Sequence, residues 1–296
     1  MYKVLSNKKA IILFMLPAVF LFMCLVLFPI LASVGYTFYD GVPGINFTFS
    51  GLENYKALFH DKLFLKYFIT NLKYVAVTVA GQITFGLFLA FLLTFLVKKH
   101  VNFVRIALFI PVVLPSVATG QLFVKIFEIA PQYGLLNSLL EFLGLHNWIH
   151  AWLGDISTAL WVVCATDIWK ACGMYALIFY SAMVDIPGDM LEAAAIDGAG
   201  KPQLIRKIYL PLLKPILCTG LILSLTGTFK VYEAILTLTK GGPGTSTYVL
   251  SMYMYDTAFS YQQYGYGSVI AIVILVECLL SSWLVRRIFV KDNTEG

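Results

Sequence analysis

Charged side chains inside long apolar runs are costly, and this sequence places three i, i+3 pairs of them there: Lys125/Glu128, Asp167/Lys170 and Lys230/Glu233. On a helix, that spacing puts both members on one face, where they either neutralise each other or line a polar cavity. Lys125/Glu128 falls near the end of its run and reads as interfacial, whereas the other two pairs fall deeper. Beside them stand Trp169, Phe229 and Tyr232. Carboxylates, ammonium groups and aromatic rings together suit a sugar, whose hydroxyls need donors and acceptors and whose C–H face packs on rings. Asn71, Gln82, Ser116, Thr119 and Gln121 add polar groups from other runs. The chemistry on offer is binding rather than bond-making. His60, His100, His146 and His150 all fall in loops, so no histidine is at hand for a nucleophile–base arrangement at one depth. His146 and His150 have the spacing to share a metal but no third ligand of the right kind nearby, and they read as solvated loop residues.

The elements that must position these groups are membrane spans. The chain has 296 residues, of which 59% are hydrophobic and 12% charged, and its mean hydropathy is +0.82. That composition excludes a soluble fold. Runs of roughly twenty residues or more, the length that crosses the hydrocarbon core, occur at 10–32, 71–97, 105–129, 157–184, 213–236 and 267–289. The expected fold is all-α: a polytopic protein of six transmembrane helices, the first retained rather than cleaved as a signal segment, because its apolar part is too long for one. Pro111 and Pro115 should loosen the third span. Cys24, Cys164, Cys172, Cys218 and Cys278 all lie in apolar runs and read as small buried hydrophobes.

Basic residues set the orientation. Lys3, Lys8, Lys9, Lys98, Lys99, Arg105, Lys201, Arg206, Lys207, Lys214, Arg286, Arg287 and Lys291 fall on one side, against Lys56, Lys62, Lys66, Lys73 and Lys240 on the other. By the positive-inside rule both termini and the segment 185–215 are cytoplasmic. With the basic residues at span ends, the net charge of +5 calls for no nucleic acid. On the opposite side, the stretch 130–155 has no Lys or Arg. There Leu135, Leu136, Leu139, Leu140 and Leu143 predict a short interfacial helix, with Trp148 and Trp152 at headgroup level.

The segment 185–215, DIPGDMLEAAAIDGAGKPQLIRKIYLPLLKP, is amphipathic and lies between the fourth and fifth spans. Pro187 suits the first turn of a helix, and Asp189 and Glu192 suit its positive end. Gly198 and Gly200 should end that helix, glycine being free to take left-handed geometry. Lys201-Pro202 restarts one, with Leu204, Ile205, Ile208 and Leu212 as its apolar stripe. Two short helices at a glycine elbow are shaped to dock into something. Gly198-Ala199-Gly200-Lys201-Pro202 is not a phosphate-binding loop: Ala195 stands where its first glycine should be, and no Ser or Thr follows the lysine. The outer run Lys240-Gly241-Gly242-Pro243-Gly244-Thr245 fails the same test.

Glu192-Ala193-Ala194, three residues, Gly198, nine residues, Ile208, one residue and Leu210-Pro211 resembles the EAA loop of permease subunits of ATP-binding-cassette importers. Together with Leu238-Thr239-Lys240-Gly241-Gly242-Pro243-Gly244-Thr245, the later Tyr248, Leu250, Tyr253 and Ala258-Phe259, and Asn71-Leu72-Lys73-Tyr74, it makes the chain similar to carbohydrate-importer permeases, the larger maltose-importer type and its shorter relatives among them. The resemblance covers nearly the whole chain, read as one transmembrane domain over 1–296 with a core at about 67–290.

The resemblance implies a prokaryotic plasma-membrane protein, a second permease, two ATPase subunits and an extracytoplasmic sugar-binding protein as partners, and membrane lipid around it. ATP and magnesium would sit on the ATPases, with no cofactor or metal on this chain and no enzyme activity of its own. Glu192, Ala193, Ala194, Asp197, Gly198, Ala199, Ile208, Leu210 and Pro211 would form the ATPase-coupling loop, and Gly241, Gly242 and Pro243 would meet the binding protein. Sugar-contact positions of the maltose-importer type fall on Val112 and Ser116, on Asp167, Lys170, Ala171 and Met174, and near Gly227, Thr228 and Val231. Lys230 and Glu233 join this path through their own spacing. Where the maltose-importer type has asparagine, leucine and tyrosine, this chain has Asp167, Lys170 and Met174, so its path is more charged and suits a different, even acidic, solute such as a uronide or sugar phosphate. A self-sufficient carrier is the other reading, and it leaves the docking loop without a purpose.

Overall fold

The computed structural model describes residues 8–97 and 99–290. Lys3, Lys98 and Lys291, which contributed to the charge asymmetry, lie outside the described residues. Helix α1 (Lys8–Phe22) continues through a π turn into α2 (Phe28–Tyr36), and a two-residue antiparallel pairing of β1 (Tyr39–Asp40) with β2 (Thr48–Phe49) follows. Then come α3 (Glu53–His60), α4 (Lys62–Phe95), α5 (Val101–Val113), α6 (Ser116–Ile126), α7 (Leu135–Phe142) and α8 (Ala159–Val184). The chain closes with α9 (Gly188–Ile196), α10 (Lys201–Leu204), α11 (Leu210–Phe229), α12 (Glu233–Leu238), α13 (Leu250–Tyr255) and α14 (Tyr264–Val290).

Among the described residues, five helical stretches are long and apolar enough to cross a membrane: Ile11–Tyr36, Lys62–Phe95, Ala159–Val184, Lys201–Phe229 and Tyr264–Phe289. The third expected span is instead two helices, α5 and α6, meeting at 96°. Pro115 explains the break. Its ring disfavours helical geometry in the preceding residue, and Leu114 is accordingly extended at φ −64°, ψ 133°. Pro111 stays inside α5.

The fifth expected span also stops early, with α11 ending at Phe229 and Lys230 as its cap. Thr226 and Thr228 turn their hydroxyls back onto carbonyls of the preceding turn, a bonding pattern that bends helices. Beyond them the hydroxyl of Ser251 takes up the carbonyl of Val231. Lys230 and Glu233 therefore do not share one helix face.

The chain divides into two compact units. One comprises Met1–Phe64 and Tyr253–Val273. Within it the buried Asn54 donates to the carbonyls of Thr37 and Tyr39 at 3.0 and 2.8 Å, clamping the end of the first helical stretch. Asp61 receives the hydroxyls of Tyr253 and Tyr266 on one oxygen, at 2.5 and 2.6 Å. Partial burial pushes the Asp61 carboxyl up, but these two bonds and the amides of Phe64 and Leu63 outweigh it and hold the group below the usual carboxylate value.

The other unit comprises Leu65–Met252 and Ile274–Gly296. Its apolar centre gathers Ala90, Tyr175, Phe179, Met183, Tyr209 and Leu213. Helices in lipid associate where small residues let backbones approach. Here α5 lies so close to α8 that a Cβ on Gly173 would sit 1.8 Å from the carbonyl oxygen of Leu108.

Candidate functional site

A cavity of about 460 Å³ opens in this second unit, lined by Gln82 of α4, by Ser116, by Asp167, Ala171 and Tyr175 of α8, by Ser224, Gly227 and Thr228 of α11, and by Lys230 to Ala234. A smaller one of about 50 Å³ touches Ser116, Asp167 and Lys170. The sequence-predicted path residues Ser116, Asp167, Ala171, Thr228, Lys230, Val231 and Glu233 thus come together around one space, with Lys170 at its neighbour. Met174 does not join them. It packs against the apolar cluster around Phe179 instead.

The two deeper i, i+3 pairs, Asp167/Lys170 and Lys230/Glu233, form no direct ion pair among the described residues. Asp167 Oδ2 accepts from the hydroxyl of Tyr74 at 2.6 Å and from Nε2 of Gln82 at 3.4 Å, while Lys170 Nζ donates to Ser116 Oγ at 2.8 Å. Among the described residues neither Lys170 nor Lys230 has a carboxylate within 4.0 Å. Only Lys125/Glu128 forms the expected ion pair, at 2.8 Å. Ser224 Oγ donates to Gln82 Oε1 at 2.7 Å. That bond fixes the amide so that its NH₂ faces Asp167. Three crossing helices, α4, α8 and α11, are keyed together through this one glutamine.

Tyr74 and Ser224 were not legible as members of this site. Their partners are far away in sequence, and neither residue type stands out in an apolar run. Glu277 is legible from sequence as a lone carboxylate in the sixth apolar run, and in α14 both of its oxygens are buried without a hydrogen-bond partner among the described residues. By the cost of charge in lipid it ranks beside the other pairs. Asn71 is likewise fully buried with neither amide atom partnered among the described residues.

Helix α8 leads from the cavity to the amphipathic segment. Pro187 caps α9 rather than sitting in its first turn. At the other end Gly198, at φ +75°, lets the chain close a Schellman motif: its N–H donates to Ala195 and that of Ala199 to Ala194, at 3.0 and 2.9 Å. A Cβ on Gly198 would meet nothing within 4 Å. The requirement there is backbone conformation, not room. Gly200 is extended, contrary to expectation, and caps the next helix, its N–H donating to Gln203 Oε1 at 3.0 Å.

Leu191, Leu204 and Ile186 anchor this segment on the apolar cluster. Glu192, Ala193, Asp197, Gly198 and Pro211 are exposed, and Ala194, Ala199, Ile208 and Leu210 half-buried. Ile196 stands 87% exposed. The predicted stripe is shifted: Tyr209 and Leu213 are the buried positions and Leu212 faces out. A π turn over Ile205–Tyr209 adds a residue to one turn and advances the register by one.

On the other side of the sequence-predicted membrane, Gly241 is buried against the ring of Tyr248, and Gly242 and Pro243 are half-buried. Thr247 ties the loop by donating to the Gly242 carbonyl at 2.9 Å.

Known proteins resemble this chain throughout. The family described as binding-protein-dependent transport system inner membrane component matches residues 82–290. The probable ABC transporter permease protein YurN of Bacillus subtilis is 36% identical over 292 residues, covering 98% of this chain and 99% of its own. The sulfoquinovosyl glycerol transport system permease protein SmoG of Agrobacterium fabrum is 33% identical, over 97% and 93% of the two chains. Among solved structures, a chain of a bacterial alginate ABC transporter in complex with alginate pentasaccharide-bound periplasmic protein superposes with a TM-score of 0.81 at 22% identity, covering 98% of each chain. That likeness is one of fold.

Proposed function

Because this chain belongs to the family of binding-protein-dependent transport system inner membrane components, we propose that it is the permease subunit of an ATP-binding-cassette importer for a sugar or oligosaccharide. A second permease would complete the path, an external binding protein would deliver the solute, and two ATPase subunits would hold the ATP and magnesium. The observation that carries this reading is one of continuity. Helix α8 presents Asp167 and Lys170 at the cavity and runs directly into the exposed α9 segment with its Gly198 elbow. ATPase closure against that segment would move the helix that holds the solute. The relative named for sulfoquinovosyl glycerol transport supports a carbohydrate. The distribution of Lys and Arg supports a cytoplasmic position for the termini and the 185–215 loop.

An acidic carbohydrate is the second reading, favoured by Lys170 and Lys230 standing at the cavities without a carboxylate partner among the described residues. Isolating the chain from membranes that express the whole transporter tests the first reading. The ATPase subunits should co-purify with wild type and be lost with Glu192→Lys, which reverses charge on the exposed face of α9. Retention of the ATPases by that variant would remove the coupling role from this loop. Uptake of matched neutral and uronic oligosaccharides then separates the two solute classes.

A further inference from the structure

The connection between α6 and α8 carries a helix whose polarity is inverted relative to a water-facing surface. Leu135, Leu139, Phe142 and Leu143, at i, i+4, i+7 and i+8, all point outward, Leu135 being 71% and Phe142 86% exposed. The residue turned fully inward on α7 is polar. Asn137 donates to the carbonyls of Glu128 and His150 at 3.2 and 3.0 Å, and its oxygen accepts the indole N–H of Trp152 at 2.8 Å. A helix on an aqueous surface puts its asparagine out and its leucines in. Here four apolar side chains are exposed together on one face, Leu136 and Leu140 beside them are half-buried, and the one fully buried residue is Asn137, held inward by its hydrogen bonds.

Its place along the chain says what lies against the leucines. The N–H of Gly134 donates to the Glu128 carbonyl at 2.8 Å, pinning the first turn to the end of α6, where Lys125 and Glu128 form an ion pair. Past the helix, Trp148 and Ile156 are again exposed and lead into α8. No Lys or Arg occurs from residue 130 to 155, so attraction to anionic headgroups cannot hold it there.

We propose that α7 is a lipid-docking element: its leucine and phenylalanine stripe inserts among the glycerol and upper acyl groups of the bilayer, with Trp148 at headgroup level, by apolar burial and independently of anionic lipid. The neighbouring crossing helices α6 and α8 would thereby be referenced to the membrane surface. This does not rest on the nature of the solute.

Photo-crosslinking tests it in the assembled transporter within native membranes. Benzoylphenylalanine replacing Phe142 should yield, after irradiation, adducts bearing the mass of zwitterionic phospholipid, whereas the same group replacing Glu141, exposed on the polar side of the helix one turn from Asn137, should give several-fold fewer. Adducts of Phe142 to a second permease or a binding protein, or equal lipid labelling at both positions, would overturn the proposal. Where those replacements fail to assemble, the wild-type protein serves. In nanodiscs of dibrominated phosphatidylcholine, its tryptophan fluorescence should be quenched more than that of Trp148→Phe, in proportion unchanged by added phosphatidylglycerol. Equal quenching of the two proteins would contradict lipid contact at this loop.

Discussion

Tyr74 on α4 donates its hydroxyl to the carboxylate of Asp167 on α8 across 2.6 Å, in place of the lysine that the sequence spacing offers as partner. Tyr74 is fully buried. A buried carboxylate stripped of one donor is costly, by about 1–3 kcal/mol for the lost hydrogen bond. Tyr74→Phe, which keeps the ring and removes only the hydroxyl, should therefore lower the thermal unfolding midpoint of the detergent-solubilised protein by several degrees. An unchanged midpoint would mean that Asp167 is held by Gln82 alone.

Gly198 sits in open space at φ +75°, so its substitutions should rank by tolerance of left-handed geometry and not by size. Asparagine visits that region most readily; alanine costs about 1 kcal/mol there and a β-branched residue more. Uptake by Gly198→Asn should stay nearest to wild type, with Gly198→Ala lower and Gly198→Val lowest, all inserting normally into the membrane. A ranking by side-chain volume, with alanine above asparagine, would point to a steric role.

Lys170 reaches Ser116 rather than Asp167, which leaves its charge without a counter-ion within 4.0 Å among the described residues. If that charge meets solute, Lys170→Ala shifts selectivity, lowering uptake of uronic oligosaccharides about tenfold relative to neutral ones, in line with a charge-assisted hydrogen bond worth roughly 1.5–3 kcal/mol. Ser116→Ala frees the ammonium and should shift it less. A panel ratio unchanged in Lys170→Ala would assign the lysine to structure.

Asp61 titrates below its ordinary value, so its bonds to Tyr253 and Tyr266 stabilise the folded state above the unfolded carboxylate value, near 3.9. That contribution is lost as pH falls through the lower folded value. Unfolding midpoints measured from pH 6 down to pH 3 should fall for wild type and fall less steeply for Asp61→Asn. Parallel curves would show that the cluster carries no pH-dependent stability.

The amphipathic loop was the most legible part of the sequence because its signals are local: a proline at the start of α9, a glycine that turns left-handed, and Lys201-Pro202 opening α10. Register was less legible. The π turn before Leu210 moves burial from Leu212 to Leu213, and no feature of side-chain periodicity announces an inserted residue. Spacing placed Asp167 and Lys170 on one face correctly, yet could not say that Tyr74, Gln82 and Ser116 would claim them, since those pairings are tertiary. For the third span the prolines foretold loosening but not a 96° turn. Glu277 needed no structure at all, only the rule that charge in lipid is expensive.

The central claim is that an ATPase-driven loop moves a sugar-binding cavity, and energetics separates it from a self-sufficient carrier. The measurement is uptake of an oligosaccharide panel into proteoliposomes holding the chain and its second permease, with loaded binding protein outside, with and without the ATPase subunits and internal ATP. The account predicts accumulation only when ATPases and ATP are both present, and none under an imposed proton or sodium gradient. Gradient-driven accumulation in the absence of the ATPases would contradict it.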